Sequence, residues 1–96
     1  MSDLKDQMEM CAIVNGQVQG VGFRAMVVWL ARQLHLTGTV RNLMDGTVEI
    51  CAQGSQENLD KLLTDLRSNR GRGFVQNVTV SYSNPQQVHT SFNITQ

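Results

Sequence analysis

Residues 16–24, with the sequence GQVQGVGFR, are the part of the chain best suited to binding an anion. Glycine lacks a Cβ atom, so three glycines let backbone N–H groups turn inward and approach a ligand closely. A helix beginning at the end of the stretch would add free N–H groups and a favourable dipole. The Arg24 guanidinium would add a planar set of donors matched to phosphate oxygens. The stretch therefore predicts an oxyanion-binding loop, although a tight strand-to-helix turn explains the glycines equally well.

Few other residues are arranged for chemistry. No Gly-Lys-Ser/Thr follows the glycines, so the stretch is not a Walker A loop, and its spacing does not fit a dinucleotide-binding motif. Cys11 and Cys51 are too few and too far apart for a zinc site. His35 is expected at the end of a helix and His89 in a polar loop. Neither histidine is predicted to be catalytic.

Composition limits the class of protein. The 96 residues suffice for one domain, and eight Lys and Arg balance eight Asp and Glu. This balance argues against a nucleic-acid partner, and no apolar run approaches the roughly 20 residues that span a membrane. The N-terminal sequence is acidic and polar, unlike a signal peptide. We expect a cytoplasmic protein with a flexible leader at residues 1–7 and one domain at residues 8–96.

The elements that must position the loop follow from hydrophobic periodicity. A short apolar run bounded by Gly16 predicts a buried strand at residues 8–15, and strand-like or period-two patterns predict strands at residues 37–43, 47–53, 75–82 and 91–95. Helical spacing predicts helices at residues 24–34 and 56–68. Asp45-Gly46 is a strong turn signal, and Ser55 is a suitable helix N-cap. The order predicts an α/β (α+β) ferredoxin-like sandwich of βαββαβ type. Its mostly antiparallel sheet of four to five strands would carry both helices on one face.

Two motifs in this chain resemble those of the acylphosphatase family. The first is the stretch at residues 16–24, which fits the pattern G-x-V-Q-G-V-G-F-R. The second consists, in order, of Gly38, Asn42, Gly46, Val48 and Gly54. The resemblance extends over nearly the whole chain, and the fold of the family is the one that periodicity predicts. Thr39 departs from the pattern of the family, in which an aromatic or apolar residue is common at this position. We expect the change to alter packing beside Asn42 without removing function.

The resemblance implies a reaction and a site. The reaction is hydrolysis of the carboxyl–phosphate bond of a small-molecule acyl phosphate to a carboxylate and inorganic phosphate, with no cofactor or metal. The implied catalytic residues are Arg24 and Asn42. The implied phosphate-binding loop consists of Gln19, Gly20, Val21, Gly22, Phe23 and Arg24. Inorganic phosphate, as product, is expected to compete with substrate for this loop.

The chemistry of these residue types agrees with the implied roles. Phosphoryl transfer needs positioning and neutralisation of charge, which Arg24 can provide. The Asn42 amide can accept a hydrogen bond from water and donate one to an oxygen, so it can aim a nucleophile. The motifs contain no His, Cys or clustered carboxylate that could serve as a general base or metal ligand. An acyl phosphate suits such a site, because its carboxylate leaves without protonation.

Two other functions fit parts of the pattern. One is a non-catalytic phosphate- or acyl-phosphate-binding module, since similar domains occur within hydrogenase-maturation carbamoyltransferases. The other is an RNA-recognition domain, which shares this element order but needs paired aromatic residues on its central strands. The corresponding positions here are Cys11, Ile13, Glu49 and Cys51.

Two surface features leave alternatives open. The first helix is unusually apolar, so exposure of Val28 and Trp29 would favour weak self-association, whereas a monomer is otherwise expected. Arg70 and Arg72 are expected in a solvated loop, with electrostatic steering of substrate as the alternative.

The two cysteines allow two redox states. In a reducing cytosol they would be ordinary thiols. In the predicted fold, however, the first and third strands are antiparallel neighbours, and Cys51 alternates with Glu49 and Gln53 on the face away from the helices. If Cys11 shares that face and register, a cross-strand disulfide can form under oxidation. The sequence leaves both states open.

Overall fold

The computed structural model describes residues 7–69 and 71–96. The elements in chain order are β1 (Met8–Gln17), α1 (Phe23–Gln33), β2 (Thr37–Asn42), β3 (Val48–Gly54), α2 (Gln56–Arg67), β4 (Phe74–Ser83) and β5 (Phe92–Ile94). The strands form one sheet in the order β4-β1-β3-β2-β5, antiparallel except for the parallel pair β2 and β5. The predicted ferredoxin-like fold is confirmed. The predicted leader lies almost entirely outside the described residues, so the division of the chain at residue 8 stays a prediction.

The core lies between one face of the sheet and the two helices. Alternate residues of the central strands are buried, Met10, Ala12 and Val14 in β1 and Val48, Ile50 and Ala52 in β3. The apolar faces of the helices cover them with Phe23, Val27 and Ala31 from α1 and Leu59, Leu62, Leu63 and Leu66 from α2. Each fully buried leucine contributes about 1.5–3 kcal/mol, so this packing fixes α1 on the sheet.

The helix starts follow local chemistry. Ser55 caps α2, because its hydroxyl accepts a hydrogen bond from the Asn58 N–H at 3.2 Å, which confirms the predicted cap. α1 begins at Phe23, one residue before the predicted start, and the Phe23 side chain enters the core and is only 1% exposed. The first turn of α1 is thereby fixed directly at the end of the glycine loop.

Gln53 differs from its predicted environment. The alternation of β3 puts it on the solvent-facing side with Cys51, yet it is only 2% exposed. The segment between β4 and β5 covers it, and its side-chain oxygen accepts a hydrogen bond from the His89 N–H at 3.0 Å. Its Nε2 donates to the Glu9 carboxylate at 3.3 Å and to the Gln87 carbonyl. This cover comes from the irregular segment, which periodicity does not report.

No helix in the described ranges combines the length and the apolar character needed to cross a membrane.

Candidate active site

The glycine loop connects β1 to α1 at the edge of the sheet where β1 and β2 both end. Gly20 and Gly22 have φ values of 76° and 81°, in the left-handed region that side chains with a Cβ atom rarely adopt. At Gly20 an added Cβ would meet nothing within 4 Å, so backbone conformation rather than space requires glycine there. The four predicted residues 19–22 lie in the connection, which spans residues 18–22, and Phe23 and Arg24 form the start of α1.

The N-terminus of α1 gives the loop a positive end. Gly22 is the N-cap residue and makes no side-chain capping hydrogen bond, and the first turn holds no acidic residue. The first intrahelical bond runs from the Met26 N–H to the Gly22 carbonyl at 3.1 Å. The N–H groups of Phe23, Arg24 and Ala25 therefore have no acceptor within the helix, which favours an anion here.

Arg24 keeps its charge available. Its side chain is half-buried at the start of α1. Within residues 7–69 and 71–96 the ion pairs are Arg41 with Glu49 and Lys61 with Glu57, so no described carboxylate neutralises the Arg24 guanidinium. An unneutralised guanidinium beside a helix N-terminus adds to the anion-binding character of the loop.

Asn42 has an unsatisfied acceptor. It is the last residue of β2 and pairs with Val48 of β3, and its Oδ1 atom is buried without a hydrogen-bond partner in the described part of the chain. Leaving a buried acceptor unpaired costs about 1–3 kcal/mol, so native proteins carry few of them. An unpaired polar atom of this kind indicates a functional position rather than a purely structural strand end.

The Gln19 side chain joins the loop to the end of β2. Its Nε2 donates to the Leu43 carbonyl at 3.0 Å and to the Thr47 carbonyl at 2.8 Å. Leu43 follows Asn42 directly, and the Leu43 N–H donates back to the Thr47 carbonyl at 2.9 Å. These bonds bring the loop and Asn42 together at one edge of the sheet. Sequence reasoning assigned Gln19 to phosphate binding and missed this side-chain role, because its partners are carbonyl groups that any residue carries.

The turn between β2 and β3 is braced separately. An Asp45 carboxylate oxygen accepts hydrogen bonds from the Thr47 hydroxyl at 2.6 Å and from the Thr47 N–H at 3.0 Å. The hydroxyl bond first, and then the N–H bond, lower the pKa of Asp45 below its ordinary value. Gly46 follows with a φ of 92°, and its N–H donates to the Leu43 carbonyl at 3.2 Å, which confirms the predicted Asp-Gly turn.

The other side of the loop faces residues 71–73, which lead into β4. An added Cβ on Gly73 would lie 3.2 Å from the Val21 side chain, so the two segments are in contact. The Arg72 N–H approaches the Met26 sulfur at 3.1 Å. Asn69 closes the connection with two bonds to Val75, accepting from its N–H at 2.7 Å and donating to its carbonyl at 3.1 Å. Arg72 is exposed beside the glycine loop, and the predicted Arg70 lies outside the described residues.

The cysteines lie away from the loop, on the face of the sheet opposite the helices. Cys11 is directly opposite Cys51 in the pairing of β1 with β3, with the Cα atoms 4.1 Å apart. The face and register that a cross-strand bond requires are both present, and the sulfur atoms are joined in a disulfide. This pair ties together the strand that enters the loop and the strand that leaves the β2–β3 turn.

The histidines stay outside the site. His35 follows the C-terminus of α1, at the opposite end from the glycine loop. His89 belongs to the segment that covers Gln53. A hollow of about 420 Å³ beside α2 is lined partly by Glu57, Asp60 and Asp65, and this acidic lining would repel an anionic substrate.

Comparison with known proteins matches the chain to acylphosphatases over most of its length. The family model described as Acylphosphatase matches residues 10–94. The chain is 42% identical over 88 residues to an acylphosphatase of Mycolicibacterium smegmatis, covering 92% of this chain and 90% of that protein. It is 45% identical over 76 residues to an acylphosphatase of Deinococcus radiodurans, covering 79% and 87% respectively. The crystal structure of acylphosphatase from Bacillus subtilis aligns with a TM-score of 0.87 and 34% identity, covering 93% of this chain and 99% of that one.

Proposed function

This chain belongs to the acylphosphatase family and hydrolyses acyl phosphates, and we propose that two separately held groups perform the reaction. One group is the loop of residues 19–24, which binds the phosphoryl group. The other is Asn42, which aims a water molecule at the phosphorus. Arg24 belongs to the first group and neutralises charge on the phosphoryl oxygens.

The phosphoryl group would be held by backbone donors and by one cation. The loop turns at Gly20 and Gly22, and the free N–H groups at the start of α1 face an anion bound there. The Arg24 guanidinium lacks a carboxylate partner within the described ranges, so it can bind phosphoryl oxygens without first breaking an ion pair. These donors stabilise the negative charge that the equatorial oxygens carry in the transition state.

The observation that carries the proposal is the buried, unpartnered Oδ1 of Asn42. The Asn42 side-chain amide hydrogen-bonds the attacking water and orients the water lone pair toward phosphorus. The water oxygen forms a bond to phosphorus while the bond between phosphorus and the acyl oxygen breaks. The products are inorganic phosphate and a carboxylate, and the protons released by water pass to phosphate and solvent. The electron pair of the broken bond leaves on the carboxylate.

The remaining predictions concern the setting of the reaction. A non-catalytic binding module is disfavoured, because the relatives matched over most of their length are acylphosphatases. Weak self-association is expected if Val28 and Trp29 are both exposed. Trp29 is 61% exposed but Val28 is half-buried, so this condition is met only in part. A monomeric state, a cytoplasmic location and the lack of nucleic-acid and membrane partners stay predictions.

The test compares leaving groups on the purified protein. Turnover of benzoyl phosphate is measured against turnover of p-nitrophenyl phosphate, with inorganic phosphate as competitor. The described residues of the site include no acid that could protonate a leaving group. We therefore expect hydrolysis of the acyl phosphate alone and competitive inhibition by phosphate. Comparable turnover of the monoester would contradict the proposed mechanism, in which no side chain protonates the leaving group.

A further inference from the structure

A groove begins at the phosphate-binding loop and runs along the exposed face of α1. It has a volume of about 590 Å³ and is lined by Val21, Gly22, Ala25, Met26, Trp29 and Arg72. Positions 22, 25, 26 and 29 follow helical spacing, so they share one face of α1. Because Val21 and Gly22 belong to both the groove and the loop, the groove is continuous with the phosphoryl site.

The wall opposite α1 is held in place by contacts with Met26 and Gly22. The Arg72 N–H approaches the Met26 sulfur, and an added Cβ on Gly71 would collide with that sulfur. The aliphatic part of Arg72 lies 3.8 Å from the position that a Cβ would take on Gly22. Arg72 forms no ion pair within residues 7–69 and 71–96. A charged guanidinium without a carboxylate partner therefore lies at the mouth of the groove.

The sheet order places this groove opposite Asn42. β4 lies on one side of β1, and β3 and β2 lie on the other. The loop leaves the end of β1, so Asn42 at the end of β2 flanks it on one side, and Arg72 just before β4 flanks it on the other. The contacts of the loop agree, since Gln19 binds the β2–β3 turn and Val21 touches Gly73.

The geometry of in-line displacement relates the Asn42 side of the loop to the groove side. The attacking and leaving oxygens lie on opposite sides of phosphorus. Water aimed by Asn42 enters from the β2 side, so the acyl group must depart on the β4 side, toward the groove. This step rests on the proposed role of Asn42.

We propose that the groove is the acyl-binding site and selects acyl phosphates with an aromatic or bulky apolar acyl group. Trp29 is 61% exposed and Val21 is 41% exposed, so such a group would cover apolar surface that otherwise faces water. Arg72 binds the carboxylate as it leaves, through the paired geometry that a guanidinium offers to a carboxylate. The class of substrate is therefore an aryl or branched acyl phosphate rather than acetyl phosphate.

Trp29→Ala tests the apolar part of the site. Benzoyl phosphate should lose about 5- to 20-fold in kcat/KM, as expected for a lost aromatic contact, and acetyl phosphate less than about twofold. The matched control is Tyr82→Ala, which removes an aromatic residue of 42% exposure near the far end of β4. Equal losses with both substrates, or an equal effect of the control, would overturn the proposal.

Arg72→Gln tests the carboxylate contact. Both substrates release a carboxylate, so both should lose about 10-fold in kcat/KM, while inhibition by inorganic phosphate changes less than about threefold. Arg72→Lys, which retains the charge but not the paired donors, should recover part of the loss. An unchanged kcat/KM in Arg72→Gln would remove Arg72 from the site.

A direct binding measurement separates this proposal from the catalytic one. Trp29 is the single tryptophan of the chain, so its fluorescence reports on binding beside its own side chain. In saturating inorganic phosphate, benzoate should change the fluorescence in a saturable way, and acetate should not. If benzoate leaves the fluorescence unchanged, the proposed acyl-binding site is wrong, whatever the turnover of the variants. Failure of the catalytic proposal would appear instead as normal turnover in Arg24 or Asn42 variants, with the benzoate response intact.

Discussion

The phosphate-binding loop has a braced side and an open side. On the β2 side, the Gln19 amide fixes the loop to two carbonyls of the β2–β3 turn, and Asp45 braces that turn through Thr47. On the β4 side, the loop faces a groove with an exposed tryptophan and an arginine that has no carboxylate partner in the described ranges. Side-chain hydrogen bonds therefore hold the loop on the β2 side and not on the β4 side in the described ranges, although both sides flank the same six residues.

This difference agrees with the reactant that each side binds, water on the β2 side and the acyl group on the β4 side. The nucleophile is always a water molecule, and a small error in its position is expensive, because aligned attack accounts for much of the catalysis. The acyl group varies among substrates, and an open apolar groove accommodates variation better than a set of directed hydrogen bonds. The fold thus fixes the constant reactant and leaves room for the variable one.

Loss of Arg24 should have the largest effect on activity, since this residue binds the phosphoryl group, which lies between the two sides. Arg24→Ala should lower kcat/KM by about 10³-fold or more, as for other arginines that neutralise a transferring phosphoryl group. Inhibition by inorganic phosphate should be lost as well. Steady-state kinetics with benzoyl phosphate measures both, with Lys61→Ala as control because Lys61 is an exposed cation on α2. Wild-type turnover in Arg24→Ala would remove the residue from the site.

Breaking the brace should have a smaller effect of a different kind. Gln19→Ala removes two hydrogen bonds and lets the end of β2 move relative to the loop. We expect kcat to fall by about 10- to 100-fold through misplacement of Asn42. The phosphate inhibition constant should change little. Gln56→Ala is the matched control, since that amide donates to Asp60 on the surface of α2. Parallel losses of kcat and phosphate affinity would show that Gln19 acts on the loop instead.

The cysteine pair should affect stability and leave both sides of the loop unchanged. The bond closes a segment of 40 residues and constrains the unfolded chain. Reduction should lower the free energy of unfolding by about 2–4 kcal/mol, with less than about twofold change in turnover. Urea unfolding with and without reductant measures this, and Cys11→Ala/Cys51→Ala should not respond to reductant. Two free thiols titrating before reduction would dismiss the bond.

The turn at Asp45 should give the smallest effect, and one that depends on pH. Hydrogen bonds from Thr47 lower the pKa of Asp45 below its ordinary value of 3.8. The ionised carboxylate therefore stabilises the folded state above that ordinary value, and this contribution disappears as pH falls through the lowered folded pKa. Asp45→Asn should reduce the Tm at neutral pH, and the gap to wild type should close on acidification. A gap that widens in acid would contradict the assignment.

Part of this picture follows from sequence alone, because it depends on local pattern. The alternation of Val48, Ile50 and Ala52 sets the buried face of β3, and the leucine spacing of α2 sets its packing. The glycines of the loop and the Asp45-Gly46 turn are also local signals, since each requires a particular backbone conformation.

The rest depends on contacts between distant segments. The partners of Gln19 are carbonyls 24 and 28 residues away, and no residue type marks them. Gln53 is buried by an irregular segment, and Trp29 becomes part of a groove because residues 71–73 pack beside α1. Sequence pattern assigned both residues from their own element and could not include these neighbours.

The most direct test of the account is the effect of Asn42→Ala on turnover and on phosphate binding, measured in one preparation. Calorimetric titration gives the Kd for inorganic phosphate, and kinetics with benzoyl phosphate gives kcat. Asn77→Ala, an exposed asparagine on β4, controls for the substitution itself. Since Asn42 aims water and the loop holds phosphate, kcat should fall about 10²- to 10³-fold with the Kd within about threefold of wild type. A wild-type kcat, or a loss of phosphate binding equal to the loss of kcat, would contradict the separation of the two roles.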